Sequence, residues 1–334
     1  MKARRKLLLA LGAGLAWPLV SRAQQPAKPA PKPAAKMVRV GVLETTSPTL
    51  NRTNYEALRD GLRDLGYVEG QNLIIDYRSA DGRAERFADF VTDLVRLKAD
   101  VIVARGTPAV LAAKLAAPIP VVMTGVSDPV GLKMAASLAR PGGHITGLTT
   151  LVREMTMRRL ELLREVAPKI SRVGSLLNMS NPAGAAQWKE TETAARTLGL
   201  QALLLDVRDP QGFAIAFDQA GEKRADALLV SLDPLIVEHR HAVAEFAAKH
   251  RLPAVYPDSE FVIAGGLISY GVHYPHLYYR AAGYVDRILK GAKPAELPIE
   301  QPAKFQLVIN QRTARTLGLA LPATIRQRAD RLIG

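Results

Sequence analysis

A chain of 334 residues is too long for one small hydrophobic core and suits two bodies of ordinary domain size. With 48% hydrophobic and 23% charged residues the composition is globular, and the lack of cysteine excludes disulfides, thiolate metal sites, thiol catalysis and a lipid-bearing cysteine anchor. The net charge of +14 is spread among acids, as in Arg59-Asp60, Arg63-Asp64 and Lys189-Glu190, which describes a solvated surface and not a stripe for nucleic acid.

The first 23 residues read as an export signal. Lys2, Arg4, Arg5 and Lys6 form a basic start, Leu7 to Val20 an apolar run, and Ser21-Arg22-Ala23 a small-residue cleavage site. The apolar run, about 14 residues, is short of the roughly 20 that span a bilayer, so cleavage and a periplasmic destination are expected. Arg4-Arg5 also suits a twin-arginine route, and general secretion stays open beside it. Gly12-Ala13-Gly14 has no strand before it and is not a phosphate loop. Residues 24–36 are a Pro/Ala/Lys linker, and folding is expected to begin at Met37.

From there strands and helices alternate. Val38–Leu43 is a strand, and the next helix places Tyr55, Leu58, Leu62 and Leu65 on one face, with Gly66 closing it. Asn72–Tyr77 is a second strand, Ala84–Leu97 a second helix and Asp100–Ala104 a third strand, after which Pro108 opens a third helix. Ile119–Met123 is a fourth strand that stops at a polar turn containing Ser127 and Asp128; a short helix, a Pro-Gly-Gly loop and another strand follow. This spacing predicts a parallel α/β lobe.

The same punctuation then returns. Arg39-Val40-Gly41 is matched by Arg172-Val173-Gly174, and each glycine is followed 25 residues later by the glycine of a Leu-Gly helix end, Gly66 and Gly199. Lys98-Ala99-Asp100 is echoed by Arg224-Ala225-Asp226, and Ile119-Pro120 by Leu252-Pro253. Two similar lobes are the consequence. Leu267–Tyr270, a helix from Pro275, Phe305–Ile309 and a helix over 311–317 follow as extra terminal elements.

The strings VSDPVG (126–131), SLARPGGHITG (137–147), LISYG (267–271) and the tail 305–330 closely resemble substrate-binding proteins of the bacterial ABC-transporter family that includes tryptophan and tyrosine binders. The resemblance covers nearly the whole chain after the export segment, with one departure at His144, where members more often carry Asn. It implies a type I periplasmic-binding-protein fold: two Rossmann-like lobes with parallel sheets, three chain crossings and a ligand cleft between them. The expected boundaries are 37–150 with 272–292 for the N-terminal lobe and 151–271 with 293–334 for the C-terminal lobe. The expected partners are a small-molecule ligand and an ABC permease in the inner membrane, the protein itself being a monomer without a cofactor.

In open α/β sheets ligands gather at the carboxyl ends of strands. Those ends offer Thr45, Thr46, Gly106, Thr107, Ser127 and Asp128 in the first lobe and Asn178, Asp233, Tyr256 and Tyr270 in the second. Hydroxyls, one amide, two carboxylates and two phenols can hold an amino acid or a related zwitterion. Each alone also suits a simple turn. Asp128 and Asp233 as an acid/base pair would give a hydrolase or lyase, and a ligand sensor for a membrane receptor is a third reading. Arg158 and Arg159, beside Glu161 and Glu165, are expected on a solvated helix face. No serine elbow, Walker loop or dinucleotide fingerprint follows any strand, so the expectation is a binder and not an enzyme.

Overall fold

The apolar run Val38–Glu44 forms β1, whose residues are almost all buried, as a strand covered on both faces requires. The computed structural model describes residues 37–116, 118–150 and 152–334, so the expected export segment and linker lie outside the described residues. After β1 come α1 (Pro48–Asp64), β2 (Leu73–Ser79), α2 (Phe87–Arg96), β3 (Val101–Arg105), α3 (Gly106–Ala113), β4 (Val121–Val126) and β5 (Ile145–Thr149). Among the described residues these strands make a five-stranded parallel sheet ordered β2-β1-β3-β4-β5.

The second half contains α4 (Val152–Val166), β6 (Arg172–Leu177), α5 (Gly184–Thr197), β7 (Gln201–Asp206), α6 (Gly212–Glu222), β8 (Ala227–Val230), α7 (Pro234–Glu238) and α8 (Arg240–Lys249). It continues with β9 (Ala254–Tyr256), α9 (Ser259–Ile263) and β10 (Ile268–Val272). Next comes α10 (Tyr274–Leu289), which packs against α1 in the first half. The chain ends with β11 (Phe305–Asn310), α11 (Gln311–Thr316), α12 (Ala323–Arg328) and β12 (Arg331–Ile333). The second sheet has seven strands ordered β12-β11-β10-β9-β8-β6-β7, with β10 and β11 its antiparallel pair.

The order β7-β6-β8-β9 repeats β2-β1-β3-β4, so the echoes in the sequence have a structural basis. Lys98 (φ 55) and Arg224 (φ 52) make the same left-handed turn before a strand. The aspartate two residues on then braces the leading strand of its sheet: Asp100 accepts from the Arg39 N–H at 2.8 Å, and Asp226 from the Arg172 N–H at 2.9 Å. Gly41 and Gly174 lie in separate sheets. Each sheet has a core on both faces. In the first half Leu94, Ile102 and Met123 pack on one side, and Leu58, Tyr278 and Val285 on the other.

Two expectations are corrected here. No helix forms after Asp128: Lys133 takes a left-handed φ of 53, and the N–H groups of Met134 and Ala135 both turn back to the Pro129 carbonyl. Burial of Met134 and Ala135 holds this run of turns on the first core. The second concerns residues 293–300, expected with the second lobe. Ile299 is buried in the first core, Thr146 donates to the Leu297 carbonyl at 2.7 Å, and the Glu300 N–H bonds to the Gly147 carbonyl along β5. The chain therefore crosses between the halves after Thr150, between β10 and α10, and between Glu300 and β11.

Candidate functional site

The first-half wall is organised by one buried carboxylate. Glu44 ends β1 with no exposure, and its Oε1 accepts from the Thr45 and Thr46 N–H groups at 2.9 and 3.2 Å, from both threonine hydroxyls, and from Arg105 Nη1 at 3.2 Å. Its Oε2 takes the Tyr278 hydroxyl at 2.5 Å. Burial, with Glu44 beside it, pushes the Tyr278 phenol well up. Arg105, at the end of β3, lies 4.4 Å over the Tyr274 ring, so the crossing at α10 is stacked on the same cluster. Gly106 turns into α3 with φ 76, which presents Thr107 beside Thr45 and Thr46. Ser127 follows β4 on the same wall.

The opposing wall comes from the second half. Asp233 follows β8, is 3% exposed, and caps α7 by accepting from the Leu235 N–H at 2.9 Å. Asn181 and Asn178 donate to it at 2.8 and 3.3 Å; burial nonetheless raises its carboxyl. Helix α5 adds Gln187 and Thr191, and α4 adds Met155, Thr156 and Arg159.

Arg159 is only 8% exposed. Its Nε donates to the Tyr270 carbonyl at 2.7 Å, it forms no ion pair among the described residues, and burial pushes the guanidinium down to about 10. The hydroxyls of Thr150 and Ser231 border the same compartment and are buried without a hydrogen-bond partner among the described residues. This compartment shares Thr150, Gln187, Leu232 and Tyr274 with the one lined by Thr45, Thr107, Ser127 and Asp233, so the two are parts of one cleft. At its rim the halves touch: Glu238 accepts from the Ser47 N–H at 2.5 Å, and Leu50 packs on the second-half core.

The structure thus brings Thr45, Thr46, Gly106, Thr107, Ser127 and Asp233 to the cleft. Asn178 sits beside it, holding Asp233 and closing its own turn onto Ser180. Tyr256 is fully buried against Phe261, with its hydroxyl unpartnered, and Tyr270 stacks on Phe305, facing Arg159 through its carbonyl only. Asp128 does not belong to the cleft: it is exposed, and its Oδ1 accepts from the Gly131 N–H at 2.8 Å, the turn-forming role open to any Asp-Pro pair.

The expectation for Arg159 is also corrected. Arg158 does pair with Glu161 at 2.8 Å on the outer face, whereas Arg159 shares the inner face of α4 with Met155, Leu162, Leu163 and Val166. That phase was available from the helical period; Gln187 and Tyr274 carried no comparable mark.

A family model described as ABC transporter substrate binding protein matches residues 39–333. The chain belongs to this family. A tyrosine-binding protein of Clostridioides difficile (strain R20291) is 26% identical over 286 residues, 85% of this chain and 82% of the relative. Among solved structures, a conserved domain protein from Vibrio cholerae superposes with TM-score 0.84 at 27% identity, covering 89% of this chain and 100% of that one. An ABC domain from Streptococcus pneumoniae in complex with L-Trp gives TM-score 0.82 at 26% identity, with the same coverages. This substrate-binding protein is therefore a non-enzymatic member of an ABC transport system, with the two-lobed α/β fold of periplasmic binding proteins.

Proposed function

We propose that this substrate-binding protein works outside the cytoplasm, in the periplasm, as the receptor of an ABC importer for an amino acid or related zwitterion. The observation that carries this reading is the composition of the cleft, which is lined by Thr45, Thr46, Thr107 and Ser127 from one half and by Gln187, Asn181 and Arg159 from the other. A solute touching both walls stabilises the arrangement in which they face each other, and binding is thereby coupled to hinge closure. The closed form, as a monomer, is what docks on the inner-membrane permease. The tyrosine-binding relative and the L-Trp complex support an amino acid as the solute.

Native mass spectrometry of the purified chain, followed by a thermal-shift panel of amino acids, amines, sugars and purines, tests the reading. One saturable ligand per chain is expected, with stabilisation growing as RT ln(1+[L]/Kd), about 2.7 kcal/mol at a hundredfold excess over Kd. Saturation by a sugar or purine and by no amino acid would refute it.

A further inference from the structure

We infer that the Arg159 guanidinium, with the Thr150 and Ser231 hydroxyls, is a receptor for a carboxylate, so that the solute carries a free carboxyl group. The inference rests on reading the cleft as the ligand site and goes further by naming the group that enters this compartment. Buried charges in proteins are ordinarily paired, because an isolated one loses its hydration without compensation. Arg159 departs from that rule: at 8% exposure its described partner is the Tyr270 carbonyl, which engages Nε alone. The one carboxylate whose charge reaches it among the described residues is that of Asp258, and none lies within ion-pair distance.

Two further polar groups in the same compartment are unsatisfied. Buried hydroxyls almost always find a partner, yet Thr150 Oγ1 and Ser231 Oγ have none among the described residues. Among the described residues no Asp or Glu lines this compartment. One fixed positive charge and two hydroxyl donors match a planar monoanion with two acceptor oxygens, the geometry at which guanidinium binds in bidentate fashion. A phosphate dianion would leave one charge uncompensated. The receptor is also built on the crossings: Thr150 is where the chain first leaves the β5 sheet, and Tyr270, which orients Arg159, lies just before the second crossing. Capture of the carboxylate therefore acts on the strands that must bend when the halves close.

Thermal shift and isothermal titration on the purified chain test this with acid and amide twins: L-tyrosine and tyrosinamide, L-tryptophan and tryptophanamide, phenylpropionate and phenylpropionamide, with inorganic phosphate as a further arm. We expect at least one acid to bind, its amide to bind about a hundredfold more weakly or worse, and Arg159→Gln to weaken the acid equally. Without ligand, Arg159→Gln should melt at or above the wild-type temperature, since it removes an unpaired buried charge. A structural arginine would behave oppositely. The inference is overturned if an amide binds within threefold of its acid, if Arg159→Gln keeps the affinity, if that variant melts well below wild type without ligand, if phosphate outcompetes the acids, or if no carboxylate binds. Binding of phenylpropionate without either amino acid would leave it standing and remove the amino-acid reading instead.

Discussion

Replacing Glu44 with glutamine isolates the charge at the centre of the first-half wall. Five of its hydrogen bonds end on Oε1, which the amide keeps. The sixth, from the Tyr278 hydroxyl to Oε2, can reverse, because a hydroxyl also accepts. The hydrogen-bond count thus hardly changes, and what disappears is the negative charge opposite Arg105, in an ion pair whose side chains are 0% and 8% exposed. Were only a neutral hydrogen bond at stake, the loss would be about 1 kcal/mol. Stranding a buried cation costs about 3–5 kcal/mol, a large part of the roughly 5–15 kcal/mol that holds a typical domain. Urea unfolding followed by circular dichroism reads this directly. The Glu44→Gln/Arg105→Met double variant, with neither charge, should recover most of the loss, because the introduced thioether side chain packs where the Arg105 stem lay. A single-variant loss below about 1 kcal/mol, or no recovery in the double variant, would refute the account of this wall as a charge-paired cluster.

The rim contact sets a second expectation. Glu238→Ala removes the bond to the Ser47 N–H, a contact present only while the halves touch. At about 1 kcal/mol it should raise every ligand's Kd about fivefold through faster dissociation, leaving relative affinities unchanged, as stopped-flow measurement would show. A change in selectivity would argue against a rim role. A third expectation concerns pH. Burial holds His273 below the ordinary imidazole value, helped by Lys304 and His276, and burial lowers His144 likewise. The unfolded chain, with histidines near 6.5, takes up these protons first, so stability is full above that value and is lost as pH falls below it. His273→Asn, which keeps a side-chain acceptor for the His276 N–H without a titrating ring, should flatten the fall in melting temperature between pH 6.5 and 5. An unchanged profile would exclude His273 as a contributor.

Much of this protein was written in local patterns, since strand alternation, helix ends and turns depend on neighbours a few residues apart. The repeated Lys98-Ala99-Asp100 and Arg224-Ala225-Asp226 strings announced two like halves because each encodes the same left-handed turn and the same brace on a leading strand. Thr45, Thr107 and Ser127 were traceable as strand-end residues, and Arg159 as a member of the inner face of α4. Tertiary structure decided the rest. Asp128 and Asp233 look alike as residues entering a Pro turn, yet one is exposed on its own turn and the other is buried under two asparagine amides brought from 52 and 55 positions away. Likewise an arginine's partner, or its lack of one, depends on which side chains two separate sheets place around it. No local pattern records that, because the unpaired charge of Arg159 exists only once Tyr270, Thr150 and Ser231 have closed around it.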